Sequence, residues 1–296
     1  MNPILVPVDL TAAAEHTLVY ANKLAVRLEA DVVLLYCHHG ALSPAEAADY
    51  QKRLQTLAER LRYVQLTRQD GRRIRYRYAV RSGCLHDHVQ PVIDEQQAAL
   101  VVMNLEHVDC GEVALSGNHA ARIAELASCP VLVVPPGTQP LPSRMVFLAD
   151  FTHLPAAALS TLGTFTRGLR AHLRLVHFYQ RLELAEIIGI KRGMQQIKHA
   201  LGGVPIDSQL VLDDDPMEGI GEFCAHMQAQ LLVLSPTESG LLPRFFDVCY
   251  TKTRAYHTRI PVLVLPQPAT TDAVCCEQCA QRAKSAVAPA SLAVGA

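Results

Sequence analysis

The sequence predicts an α/β fold of two tandem, open, mostly parallel five-stranded sheets that are flanked by helices. Two short apolar runs, 99–103 and 129–135, enclose a polar loop and an amphipathic segment. Strands buried on both faces of a parallel sheet have this composition, so the stretch predicts strand, loop, helix and strand. A second copy runs from residue 230 to residue 266, and a chain of 296 residues is long enough for two ordinary domains.

Strands and helices alternate upstream of this stretch, which completes the order βαβαβαβ-loop-αβ of an open sheet. An apolar stripe that includes Leu18 and Leu24 predicts the first helix. Ser43 and Glu46 form a capping box, with proline at the first helical position, at the start of the second helix. Pro91 lies inside the predicted third helix and weakens that prediction. The predicted strands are 4–8, 31–37, 74–80, 99–103 and 131–134, and the predicted helices are 12–28, 44–66, 85–97 and 118–128.

The second half of the chain repeats the first. Residues 145–150 match residues 4–9 at an offset of 141, which also maps the apolar stripe of the first helix onto a second one. Beyond the second helix the offset becomes 131, so that Pro130 matches Pro261. A constant offset across strands and helices indicates duplication. The sequence therefore predicts domain 1 at 1–137, domain 2 at 144–267, and a disordered Cys- and Ala-rich tail at 268–296.

Charge and hydropathy argue against several classes of protein. A net charge of −1 provides no general attraction to nucleic acid or to an anionic membrane. No apolar run approaches the roughly 18 residues that a membrane helix requires, and the N-terminus does not resemble a signal peptide. The absence of tryptophan argues against an aromatic platform for stacking bases. We therefore expect a soluble, cytoplasmic protein without a nucleic-acid or membrane partner.

The motifs of common catalytic sites are also missing. No glycine-rich dinucleotide motif or P-loop follows a strand, and neither a nucleophile elbow nor an H-E-x-x-H helix is present. The pattern favours a protein that is not an enzyme.

Most of the nine cysteines lie singly in apolar segments, which is typical of buried, reduced thiols. The exception is the cluster of Cys275, Cys276 and Cys279 in the tail. Three thiolates fall short of the four ligands of a structural zinc site. This cluster is therefore a weak metal candidate, and redox-labile or merely exposed thiols are the alternatives.

A ligand site is expected where the parallel strands end. Open α/β sheets bind ligands at the carboxyl ends of their strands, near the switch in strand order. Asp9, Cys37 and the loop 104–117 all follow strands and should meet at this edge. Simpler roles remain open, because Asp9 could cap the first helix and Gly117 could permit a tight turn before a helix.

These residues together resemble the universal stress protein family, whose fold is similar to that of the adenine nucleotide alpha hydrolases. The resemblance rests on Val-Pro-Val-Asp at 6–9, on Cys-Pro-Val-Leu-Val-Val-Pro at 129–135, and on the order of the five strands. Both copies match, so the resemblance covers nearly all of residues 2–267. The chain is identified as a tandem member of this family.

The resemblance implies a nucleotide pocket that has lost most of its phosphate loop. Family members that bind ATP carry G-x2-G-x9-G-[ST] after the fourth strand, and only the third glycine is kept in domain 1. None of the four positions matches in domain 2, where Glu238 would repel phosphate. The resemblance implies the cofactor-binding candidates Pro7, Asp9, Cys37, Met103, Asn104, His107, Gly117 and Asn118.

Three functions follow as hypotheses. The first is a non-enzymatic stress-response protein that acts through proteins or a small ligand and requires no cofactor. The second is a protein that binds ATP or AMP in domain 1, or hydrolyses ATP slowly; we expect weak binding there. The third is a metal or redox sensor that uses the tail cysteines.

We also expect an internal pseudo-dimer through the edges 131–134 and 262–265, because an exposed apolar edge invites aggregation. A further homo-oligomer is compatible with the sequence.

Overall fold

A computed structural model of the chain describes residues 2–10, 15–38, 40–66, 74–105, 119–137, 139–149, 151, 156–179, 184–213, 216–235, 241–246 and 259–266. Strands and helices alternate through these residues, as expected for an α/β protein. The first half contains β1 (Ile4–Pro7), α1 (Glu15–Leu28), β2 (Val32–His38), α2 (Pro44–Leu66), β3 (Tyr76–Ser82), α3 (Leu85–Gln96), β4 (Leu100–Asn104), α4 (His119–Leu126) and β5 (Val131–Val134). The second half contains β6 (Arg144–Ala149), α5 (Ala156–Leu169), β7 (His172–Tyr179), α6 (Leu184–Ala200), β8 (Ile206–Leu212), α7 (Pro216–His226), β9 (Leu231–Ser235), α8 (Leu241–Phe246) and β10 (Val262–Val264).

The ten strands form one continuous sheet. Its order is β3-β2-β1-β4-β5-β10-β9-β6-β7-β8, so each half contributes five parallel strands in the same order. The halves meet where β5 and β10 pair antiparallel, with Val262 opposite Val133 and Val264 opposite Val131. The predicted α/β class with mostly parallel strands is confirmed, and the two five-stranded sheets are joined edge to edge.

The internal repeat is visible in the bounds and the backbone of the elements. The bounds of α1 and α5 correspond at the offset of 141, and those of β4 and β9 at the offset of 131. Two left-handed residues that end helices of the first half have left-handed counterparts in the second. These pairs are Glu29 with Arg170 and Gln97 with Gln228. A left-handed residue after the last turn is a common way to end a helix.

Local signals in the sequence explain two of the helices. At the start of α2, the Ser43 amide and hydroxyl donate to Glu46 Oε2 at 2.9 and 2.6 Å, which is the predicted capping box. Helix α3 continues through Pro91, so the predicted third helix is confirmed although its proline weakened that prediction. The exposed Pro91 removes only one backbone donor, while Val89, Val92 and Ile93 stay buried against the sheet.

Several predicted bounds shift by one or two residues. Strand β2 continues through His38, which was expected to end it, and β3 starts at Tyr76 rather than at residue 74. Residues 12–14 of the predicted first helix lie outside the described residues, and α1 is described from Glu15.

Helices cover both faces of the sheet and produce two apolar cores. Each core contains buried residues from both halves, for example Leu24 and Leu162 in one and Ile123 and Phe245 in the other. Helices α1 and α5 pack together on one face, where Arg27 Nη2 donates to the Leu169 carbonyl at 3.4 Å. None of the helices in the described ranges is long and apolar enough to cross a membrane.

Candidate functional site

The strand order of the first half creates a crevice at the carboxyl ends of β1 and β4. The chain leaves β1 for β2 on one side and later returns to β4 on the other, so the order switches at β1. Four residues of β1 pair with β2, from Ile4 to Pro7, but only Ile4 and Leu5 pair with β4. The two strands therefore separate toward their carboxyl ends, where open α/β sheets bind ligands.

Five of the predicted site residues lie at this edge. Pro7 ends β1 and is half-buried, and Asp9 follows two residues later with an exposed side chain. Cys37 is the penultimate residue of β2. Met103 and Asn104 end β4, with Met103 buried and Asn104 half-buried. The structure thus brings these five to one edge of the sheet, and their role in binding remains a prediction.

The other candidates cannot be placed. His107, Gly117 and Asn118 lie outside the described residues. The tail candidates Cys275, Cys276 and Cys279 lie outside them as well.

The Cys37 thiol is poorly suited to be a nucleophile. Burial raises its pKa to about 12, and the positive charge of Arg81 only partly opposes that rise. A thiol with this pKa is almost entirely protonated near neutral pH, and the thiolate is the reactive form. Among the described residues, no three Cys, His, Asp or Glu side chains are grouped to hold a metal ion.

An aromatic cluster that the sequence did not predict lies near the end of β2. The Tyr36 ring is 4.5 Å from that of Tyr50 on α2, and the His38 ring is 5.3 Å from Tyr50, between centroids. Arg53 lies over the Tyr50 ring at 5.3 Å. The expectation that the chain has no aromatic platform for stacking bases stays a prediction, and this cluster consists of tyrosine and histidine rings. Their spacing was a usable signal, because residues two apart on a strand share a face, as do residues three apart on a helix.

A cavity of about 340 Å³ lies beside this edge, between α1 and α2. Leu10, which directly follows Asp9, forms part of its wall. Arg53 and Arg60 of α2 also line it, and Arg60 Nη2 is 3.2 Å from Glu15 Oε1. The site region therefore has cations from α2, which the sequence analysis did not identify.

The elements of the second half approach more closely at the corresponding place. Phe151, the counterpart of Leu10 at the offset of 141, is buried against Phe147 and His177. Helix α6 approaches it so closely that a Cβ on Gly193 would lie 1.9 Å from the Phe151 carbonyl oxygen. This close approach leaves less room there than the cavity beside Leu10 provides in the first half.

A histidine pair connects α3 to the start of α4. His119 Nδ1 and His86 Nε2 are 3.1 Å apart, and the rings are stacked with their centroids at 4.9 Å. Burial, followed by the neighbouring His119 and Arg122, lowers the pKa of His86 to about 4, although Asp87 opposes this. Sequence analysis did not find this pair, because a contact across 33 residues has no local signal.

Comparison with known proteins supports the same architecture. Residues 1–135 match the model of the universal stress protein family. No protein with a curated function matches the chain. A universal stress protein from Archaeoglobus fulgidus DSM 4304 has a similar structure, with a TM-score of 0.61 and 12% identity over 90% of this chain and 96% of that one.

Two further structures share the fold over the same span of the chain. One is a functionally unknown protein from Pseudomonas aeruginosa PAO1, with a TM-score of 0.55 and 16% identity over 90% of this chain and 92% of that one. The other is the cytoplasmic domain of a prokaryotic cation chloride cotransporter, with a TM-score of 0.52 and 10% identity over 90% of this chain and 95% of that one. At these identities the likeness concerns the fold alone, and one fold supports different functions.

Proposed function

We propose that this chain, whose residues 1–135 match the universal stress protein family, is a non-enzymatic stress-response protein that acts through partners. Its two halves act as an internal pseudo-dimer, and the antiparallel pairing of β5 with β10 supports this. We also infer a cytoplasmic location. The thiols of Cys37, Cys84, Cys129 and Cys224 support it, because these four form no disulfide among the described residues, which is typical of reducing compartments.

The observation that carries the proposal is the set of side chains at the crevice. Asn104, at the end of β4, brings a half-buried side chain to the position where ATP-binding members have their first glycine. Glycine there lets backbone N–H groups approach phosphate without obstruction. Asp9, two residues beyond β1, adds a negative charge at the same edge of the sheet. We therefore infer a degenerate pocket that requires no cofactor and binds ATP or AMP only weakly in the first half.

The second half supports even less binding. The close contact between α6 and Phe151 and the missing glycines both oppose a nucleotide there. Glu238 would add a further negative charge at a phosphate-loop position.

Nucleotide binding in the first half is the second candidate function. The cavity beside Leu10 favours it, because Arg53 and Arg60 could meet a phosphate there. Arg60 would first have to exchange its contact with Glu15 for the ligand. This competition is a further reason to expect weak affinity.

Titration of the full chain with Mg-ATP by calorimetry separates the two candidates. We expect a dissociation constant above about 100 μM, which corresponds to less than about 5.5 kcal/mol of binding free energy. The double variant Asn104→Gly, His107→Gly should bind more tightly, because it restores two glycines of the pattern. Asp9→Ala tests the first-half site, and Asp150→Ala is its matched control in the second half.

A micromolar constant for the unaltered chain that Asp9→Ala or Arg60→Gln abolishes would favour the nucleotide-binding alternative. Mass spectrometry of the purified protein provides an independent check. Retained adenine nucleotide at one equivalent would contradict the proposal.

A further inference from the structure

A second cavity, of about 240 Å³, lies at the amino ends of the strands, whereas the crevice lies at their carboxyl ends. The first half contributes Ala99, Leu100 and Pro130, at the amino ends of β4 and β5. Thr161 and Phe165 line it from α5 of the second half, together with other neutral polar residues. None of the described residues that line this cavity is charged.

The internal repeat shows what fills the corresponding place in the other half. At the offset of 141, the counterpart of Thr161 is Tyr20, whose ring is fully buried with 1% of its surface exposed. The counterpart of Thr164 is Lys23, whose Nζ donates to the Gln139 carbonyl at 3.0 Å. On that side, larger side chains occupy the positions that threonines occupy at the cavity.

The strand end shows the same asymmetry. At the offset of 131, the counterpart of Ala99 is Gln230. Its Oε1 accepts hydrogen bonds from the Ser143 amide and hydroxyl, both at 2.8 Å, and so covers the amino end of β6. Ala99 has only a methyl group and cannot do this. Thr161, Thr164 and Ala99 therefore each have a shorter side chain than their counterpart in the other half. All three line the same cavity.

We propose that this cavity binds a small, neutral phenol or aromatic alcohol with a single ring. Protein interiors are filled to the density of organic crystals. In the other half, the phenol ring of Tyr20 fills the corresponding place. The cavity beside Thr161 should therefore accept a ring of similar size and shape. The site is distinct from the crevice, because the two lie at opposite ends of the strands, and it does not depend on nucleotide binding.

The wall of the cavity fits this class of ligand. Leu100 and Phe165, with 2% and 4% of their surfaces exposed, offer apolar contact to a ring. Thr164 Oγ1 donates to the Ser160 carbonyl at 3.0 Å, so its lone pairs remain to accept a hydrogen bond from a ligand hydroxyl. A charged ligand is disfavoured, because it would lose hydration without gaining an opposite charge.

Titration of the full chain with p-cresol, the side-chain analogue of tyrosine, tests the proposal by calorimetry. We expect saturable binding of one equivalent, and at least tenfold weaker binding by Thr161→Tyr, which installs the counterpart ring in the cavity. Gln55→Tyr is the matched control, because it adds a tyrosine at an exposed position of α2 and should bind like the unaltered chain. Benzoate has the same ring with a negative charge and should bind at least tenfold more weakly than p-cresol.

Unchanged affinity of Thr161→Tyr, or no saturable binding to the unaltered chain, would overturn the proposal. The melting temperature of each variant shows whether it is folded, and Thr161→Tyr should melt at or above the unaltered chain because it fills a void. If Thr161→Tyr does not fold, Ala99→Gln installs the other counterpart at the strand end. It should also weaken p-cresol binding at least tenfold, and unchanged affinity there would overturn the proposal equally.

Discussion

The histidine pair is the clearest case in which single residues determine a property of this molecule. The hydrogen bond between His119 Nδ1 and His86 Nε2 needs one nitrogen with a proton and one without. If both rings were protonated to cations, the acceptor nitrogen would be lost and two positive charges would lie 3.1 Å apart, next to Arg122. The contact is therefore stable only while at least one ring is neutral.

The stability of the chain should fall as the pH falls from 6.5 toward 4. Unfolded His86 takes up a proton at its ordinary pKa of 6.5, whereas folded His86 does so at about 4, so acid favours the unfolded chain. The difference corresponds to roughly 3 kcal/mol, which partial exposure of the ring reduces to about 1–2 kcal/mol. Urea unfolding at several pH values measures this, and His86→Gln should flatten the slope. His199→Gln, at an exposed position of α6, is the control; an unchanged slope in His86→Gln would contradict the prediction.

At the scale of elements, the packing of α6 is determined by its glycines. Gly193 faces the Phe151 backbone, where a Cβ would lie 1.9 Å from the carbonyl oxygen. Gly189, one turn earlier in the same helix, has no atom within 4 Å of where its Cβ would be. One glycine is required by a close approach, and the other is not.

Alanine at these two positions should have opposite effects. Gly193→Ala has to push α6 away from Phe151, and we expect it to lower the free energy of unfolding by about 2 kcal/mol or more. Gly189→Ala should raise it by about 0.5–1 kcal/mol, because alanine is the better helix former and meets no neighbour. Denaturant unfolding of both variants measures the difference. Equal effects would show that α6 does not approach Phe151 as closely as described.

At the scale of the whole molecule, the two halves share one sheet and two cores. The β5–β10 pairing joins the halves through the backbone, and each apolar core includes side chains from both. Separating the halves would therefore expose an apolar strand edge and buried side chains at once.

We expect the two halves to unfold in a single transition. Guanidinium unfolding, followed by circular dichroism and by hydrogen exchange of β1 and β6, should give one midpoint. Leu263→Ala removes a fully buried side chain next to the β5–β10 junction and should shift that single midpoint, at a cost of about 2–5 kcal/mol. Two separate transitions, with Leu263→Ala affecting only one, would show that the halves are independent.

Part of the candidate site was predictable because parallel strands end at one edge. Asp9, Cys37 and Asn104 follow from the positions of three strands, and the structure places them at that edge. Arg53 and Arg60 were not predictable, because nothing in the sequence tells which face of α2 turns toward Leu10. Register and helix orientation depend on contacts across the chain, whereas strand ends are marked locally.

The sequence by itself determined the alternation of strands and helices, the capping box at Ser43 and the internal repeat, because each depends on periodicity or spacing within a short stretch. Only the tertiary structure decided that β10 lies antiparallel beside β5 and that α6 packs closely on Phe151. It also decided that Thr161 lines a cavity, whereas its counterpart Tyr20 in the other half is buried. The physical reason is that a repeat with nearly the same local signals gives nearly the same elements. The side chains that differ between the copies act only when distant elements pack together, and their size then decides which places are filled and which stay open.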